Sequence, residues 1–101
     1  MVSKLGLSLD KPIYSEGEFV KLKLDYDSQS QKQILHVIVY DPSERESFSA
    51  DQYLGSLKGG CSMVLKFDTK NWAVSGRYKV ASWDQEGTRK EVFFQLKARN
   101  Q

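Results

Sequence analysis

Phe19-Val20-Lys21-Leu22-Lys23-Leu24-Asp25-Tyr26 puts Val20, Leu22, Leu24 and Tyr26 on one side of the chain and Lys21, Lys23 and Asp25 on the other. A period of two is the mark of a strand with one buried face. The same rhythm recurs on both sides of this stretch. Leu5, Leu7 and Leu9 alternate with Lys4, Gly6 and Ser8 before Asp10-Lys11-Pro12 interrupts, because proline cannot donate to a ladder. Cys61, Met63, Leu65 and Phe67 alternate with Ser62, Val64 and Lys66. Arg77 to Trp83 sets Tyr78, Val80 and Ser82 against Arg77, Lys79, Ala81 and Trp83. Arg89 to Leu96 sets Val92, Phe94 and Leu96 inward, with Glu91, Phe93 and Gln95 outward.

Gln33 to Tyr40 differs, being apolar on both faces through Ile34, Leu35, Val37, Ile38 and Val39. That pattern predicts a central strand, covered on both sides or lending one face to a partner. Asp84-Gln85-Glu86-Gly87 predicts a hairpin turn, with glycine free to take positive φ. Asp41 to Gly60 is the least regular stretch. Ser43-Glu44-Arg45-Glu46 is read there as one helical turn capped by Ser43, and Tyr53, Leu54 and Leu57 as residues that tuck onto the core or form a short edge strand. Gly59-Gly60 is read as its end.

Six or seven strands with turn signals between them, and no convincing helix, predict an all-β fold: an antiparallel immunoglobulin-like β-sandwich of about seven strands. A small barrel is the runner-up. With 101 residues the chain is read as a single domain over residues 1–101.

Asp10-Lys11-Pro12-Ile13-Tyr14-Ser15-Glu16-Gly17-Glu18-Phe19-Val20-Lys21-Leu22 resembles the opening of macroglobulin-type immunoglobulin-fold domains. Gly76-Arg77-Tyr78-Lys79-Val80 is similar to a strand of the same group and of many bacterial immunoglobulin-like modules. The resemblance implies the fold and a modular, non-catalytic role. It does not imply protease trapping, since the thioester segment of whole macroglobulins has no counterpart here. Glu16 also stands where such domains commonly have proline, and the tryptophan and cysteine pair of antibody domains are missing. On physical grounds Gly17 lets the chain reverse, Tyr14 packs its ring with a wet hydroxyl, and Tyr78 is placed as a tyrosine corner.

The net charge of +2 makes no electrostatic case for nucleic acid or an anionic membrane. Lys4, Lys21, Lys23 and Lys66 read as a solvated, edge-protecting face. No run is long and apolar enough for membrane insertion, and Met1 to Asp10 does not read as a signal peptide. Cys61 is the lone cysteine, so no internal disulfide forms. It fits a reducing compartment, or a surface protein without disulfides. A cell-surface location follows if the domain is one unit of a larger protein.

Chemistry is sparse. One His and one Cys supply no zinc set, and no cofactor is implied. Asp10, Asp25 and Asp27, and separately Asp84 and Glu86, could hold Ca²⁺ at a sandwich end, but they read better as solvated turn residues. His36 and Cys61 fall on different strand faces, and Cys61 reads as inert packing, so no catalytic dyad is expected. The chain is therefore read as not an enzyme.

One feature exceeds the fold. If Leu35, Val37, Val39, Val80, Val92, Phe94 and Leu96 face in, then His36, Ile38, Tyr40, Ala81, Trp83 and Phe93 face out as neighbours across strands. The expectation is an outward, aromatic, charge-poor patch of the kind that forms interface cores. The bland arrangement has Asp41 to Gly60 folding over it through Phe48, Tyr53, Leu54 and Leu57. If the patch is open, His36, Ile38, Tyr40, Trp83 and Phe93 are expected to bind a protein partner or another copy. Aromatics on a flat sheet also stack on sugars, so a carbohydrate-binding module using Trp72, Trp83 and tyrosines is the alternative.

Overall fold

The computed structural model describes residues 4–28, 34–53, 59–70, 72 and 74–98. Eight strands form there: β1 (Lys4–Leu9), β2 (Ile13–Ser15), β3 (Phe19–Ser28), β4 (Ile34–Tyr40), β5 (Glu46–Tyr53), β6 (Gly59–Asp68), β7 (Gly76–Trp83) and β8 (Arg89–Lys97). No helix occurs among the described residues. The strands build two sheets, one ordered β1-β3-β6 and one ordered β2-β8-β7-β4-β5. The larger sheet curls into a half-barrel. All pairings are antiparallel except β2 with β8.

The alternation sorts the faces as read. Val20, Leu22 and Leu24 of β3, with Leu5 and Phe67, meet Leu35, Val37, Val39, Val80, Phe94 and Leu96 of the larger sheet in one core. Burying such a side chain stabilises by roughly 1.5–3 kcal/mol, so the period-two pattern is what holds the two layers together. Rings thread this core: Phe48 stacks on Phe67, Phe67 on Trp72, Trp72 on Tyr78 and Tyr78 on Phe94, with centroids 4.9, 5.8, 5.3 and 5.3 Å apart. Tyr14 closes the series edge-on to Phe94 at 5.4 Å.

Several expectations change here. Ser43-Glu44-Arg45-Glu46 forms no helical turn. The Asp41 carboxylate accepts the Ser43 and Arg45 amides, closing a tight loop in which Glu44 takes φ 65°. An aspartate that caps its own turn offers the backbone an alternative to helix. The chain then runs straight into β5, a full edge strand paired with β4. Gly59 and Gly60 open β6 opposite Ser28 and Asp27 rather than ending a loop. Leu54 and Leu57 lie outside the described residues.

Tyr14 is fully buried, not wet at its tip. Its hydroxyl donates to Asp10 and accepts from the Lys11 amide. Burial first, and then Asp10, push the phenol up to about 12, while the Tyr14 hydrogen bond holds Asp10 below the usual carboxylate range. Tyr78 does behave as a tyrosine corner, donating to the Val74 carbonyl at 2.6 Å. Burial pushes it, too, up to about 12. Gly76, at φ 139°, lies so close to the β4–β5 loop that an added Cβ would sit 2.8 Å from Pro42. That contact pins the loop against the start of β7.

Asp84 is the other surprise. It is 2 % exposed, not a solvated turn residue. Its carboxylate accepts the Glu86 and Thr88 amides, which closes the β7–β8 hairpin, and the Tyr26 hydroxyl at 2.6 Å. Tyr26 belongs to the smaller sheet, so this buried acceptor ties the two layers together at one end.

Candidate outer-face contact site

The register of four strands sets out the larger sheet's outer face in rows. Asp51, His36, Trp83 and Arg89 form the first row, across β5, β4, β7 and β8. Ser49, Ile38, Ala81 and Glu91 form the second. Glu46, Tyr40, Lys79 and Phe93 form the third. Rows stand two residues apart, about 7 Å, and columns about 4.8 Å. The five residues singled out, His36, Ile38, Tyr40, Trp83 and Phe93, thus share one face.

Segment 46–53 does not cover it. That segment is β5, which widens the same sheet and sends Phe48 inward onto Phe67. Tyr53 is 62 % exposed rather than tucked down. Within the face, Phe93 is 43 % exposed, His36, Ile38, Tyr40 and Trp83 are half-buried, and Ala81 is a fully covered floor.

The face is not charge-poor. The Arg77 guanidinium lies 3.9 Å from the Phe93 ring centroid, the Lys79 ammonium 5.1 Å from Tyr40, and the Arg89 guanidinium 5.2 Å from Trp83. His36 stacks on the indole of Trp83, with centroids 5.3 Å apart, and its Nδ1 lies 2.7 Å from the Asp51 carboxylate. Glu91 joins the rows, 3.1 Å from Arg89 and 3.9 Å from Lys79. Each cation is held at a ring by the aromatic quadrupole. Every pairing follows from register, directly across for Lys79–Tyr40 and Arg89–Trp83 and diagonally for Arg77–Phe93. Those three cations are the neighbours of the candidate face that single-strand reading missed. The signal was present, since Arg77 and Lys79 already shared a face with Trp83.

The other candidates scatter. Trp72 is half-buried in the ring series, between Phe67 and Tyr78. Cys61 pairs by backbone with Tyr26 in the smaller sheet, whereas His36 faces outward from the larger one; the cysteine's side chain lies outside the described residues. No group of three or more His, Cys, Asp or Glu side chains placed to hold a metal occurs among the described residues. On the smaller sheet's outer face Lys21 lies directly across from Lys66, Lys23 across from Val64, and Lys4 across from Asp27.

No family model matches the chain, and no curated protein matches it. Solved structures do. The fold is similar to part of the alkylpurine DNA glycosylase AlkC from Pseudomonas fluorescens, solved bound to DNA with an abasic-site analog. The TM-score there is 0.68 at 17 % identity, over 95 % of this chain and 30 % of that one. It is also similar to part of a β-glucosidase from Listeria innocua, at TM-score 0.69 and 11 % identity, over 94 % of this chain and 16 % of that one. The same enzyme in complex with glucose gives a TM-score of 0.64 at 10 % identity. The chain spans less than a third of either neighbour, and at these identities the likeness is one of fold alone.

Proposed function

We propose that this chain is a non-catalytic immunoglobulin-like β-sandwich module that works by protein–protein contact through the outer face of its five-stranded sheet. The architectural part is supported by the strand orders β1-β3-β6 and β2-β8-β7-β4-β5, by the Tyr78 corner, and by the resemblance of Asp10–Leu22 to macroglobulin-type domains. Similarity to short portions of much longer chains fits a modular unit.

The observation that carries the contact reading is the set of rings that β5 leaves uncovered, with Phe93 43 % exposed and Tyr40 half-buried in the third row and Trp83 half-buried in the first. Rings paired with Arg are the composition of binding hot spots. Because the cations are already held at the rings, less side-chain freedom is lost when a partner docks. The same pairing weighs against the sugar reading. A pyranose would need the ring faces that Arg77, Lys79, Arg89 and His36 approach, and Trp72 belongs to the ring series instead.

Light scattering across a concentration series tests this. Mass is expected to rise with concentration for the natural chain and to stay monomeric for Trp83→Ala and Phe93→Glu. Equal scattering from all three chains contradicts the face as a site of contact between copies. A tryptophan emission shift on adding oligosaccharide would favour the sugar reading.

A further inference from the structure

A sheet edge is a row of unpaired backbone donors and acceptors, and proteins normally blunt it with lysine, proline, shortness or a bulge. Three of the four edges here are short or carry a lysine. β2 is three residues long, β1 bears Lys4, and β6 bears Lys66. β5 carries only a bulge near its start, where Ser47 is extra between Glu46, across from Tyr40, and Phe48, across from Val39. Its eight residues hold no Lys, Arg, Pro or Gly. Its register against β4 runs unbroken from Phe48 to Tyr53, the one irregularity falling at the Tyr40 end. Among the described residues no strand pairs with its far side.

The side chains say what would fit there. Phe48, Ala50 and Gln52 lie across from Val39, Val37 and Leu35 on the core side. The β4 residues are fully buried, whereas the β5 three are only half-covered. A further strand would complete that cover with apolar side chains. On the outer side β5 shows Ser49, Asp51 and Tyr53, with Glu46 near its start. Both charges on the strand are negative, and the Asp51 side chain is 71 % exposed. A second copy of β5 would stack acid beside acid, so a basic segment is the better match.

We propose that the free edge of β5 accepts an extended segment of a partner protein, added as a sixth strand, in which apolar residues alternate with lysine or arginine. This rests on the protein-contact reading but uses the edge rather than the ring-bearing face. Backbone pairing would supply affinity, and the acidic outer row would set the choice of segment.

The probe is a dye-labelled peptide of alternating valine and lysine, followed by fluorescence anisotropy on the whole chain. Saturable binding is expected, weakened by salt, and about tenfold weaker for a valine–glutamate peptide. Asp51→Lys is expected to reverse that preference. Consecutive strand residues alternate between bonding β4 and facing outward. So one of Ser49→Pro and Ala50→Pro removes only an edge N–H and keeps a native circular-dichroism spectrum. That variant is expected to bind about tenfold more weakly. Absence of saturable binding, equal binding of both peptides, or a preference unchanged by Asp51→Lys overturns the proposal. Phe93→Ala, three strands away from β5, is expected to leave peptide binding within about twofold. Loss of edge binding and loss of outer-face contact are thereby read separately.

Discussion

Two sets of rings lie on opposite sides of the same sheet, and they are satisfied in opposite ways. Inside, Tyr14, Phe94, Tyr78, Trp72, Phe67 and Phe48 pack ring against ring. Outside, Phe93, Tyr40 and Trp83 are each met by a cation. The inner rings are held by dispersion and exclusion of water, so removing one leaves a void. The outer rings are only partly covered, Phe93 being 43 % exposed and Tyr40 and Trp83 half-buried, so removing one leaves only a shallower surface. The same residue types thus serve the fold on one face and are free for contact on the other.

The sharpest way to break this comparison is to cut the inner series. Phe94→Ala is expected to lower unfolding free energy by about 3–5 kcal/mol, measured by urea titration. A loss near that of an exposed ring would mean that the series does not hold the core. Next comes alkali. Tyr14 and Tyr78 are both raised to about 12 in the fold, from an ordinary value of 10.0. Between those values the unfolded chain gives up protons that the folded chain keeps. Their stabilising contribution is therefore complete below pH 10 and is lost as pH rises toward 12. Urea midpoints across that range are expected to fall, and to fall less in Tyr78→Phe. Tyr26→Phe removes the donor that joins the smaller sheet to buried Asp84, and about 1–2 kcal/mol is expected to go with it. The smallest effect belongs to the outer set. Trp83→Ala and Phe93→Ala are expected to shift unfolding by no more than about 1 kcal/mol while changing association.

How far the residues announced all this depends on range. Where one strand buries one face, as in β3, β6 and β8, alternation alone sorted Val20 from Lys21 and Phe94 from Phe93. β5 is legible only at Tyr53, as one option of a short edge strand, because Glu46-Ser47-Phe48-Ser49-Ala50-Asp51-Gln52-Tyr53 has no β-branched residue and only one large inward side chain, Phe48. A strand whose pairing comes from its neighbour carries little pattern of its own. Asp84 looked like any hairpin aspartate, because its partner Tyr26 lies 58 positions away in sequence. The outer face was legible as a set of rings but not as a surface chemistry. Which cation meets which ring is decided by register between strands, and register is a property of the assembled sheet.

The most direct measurement leaves one indole in place. In Trp72→Phe, only Trp83 emits, and acrylamide quenching reports whether the outer row is open. Quenching is expected to be efficient in dilute solution and to decline as protein concentration rises and the faces meet. An indole shielded at the lowest concentration would contradict rings held open, and one equally quenched at every concentration would contradict contact between copies through them.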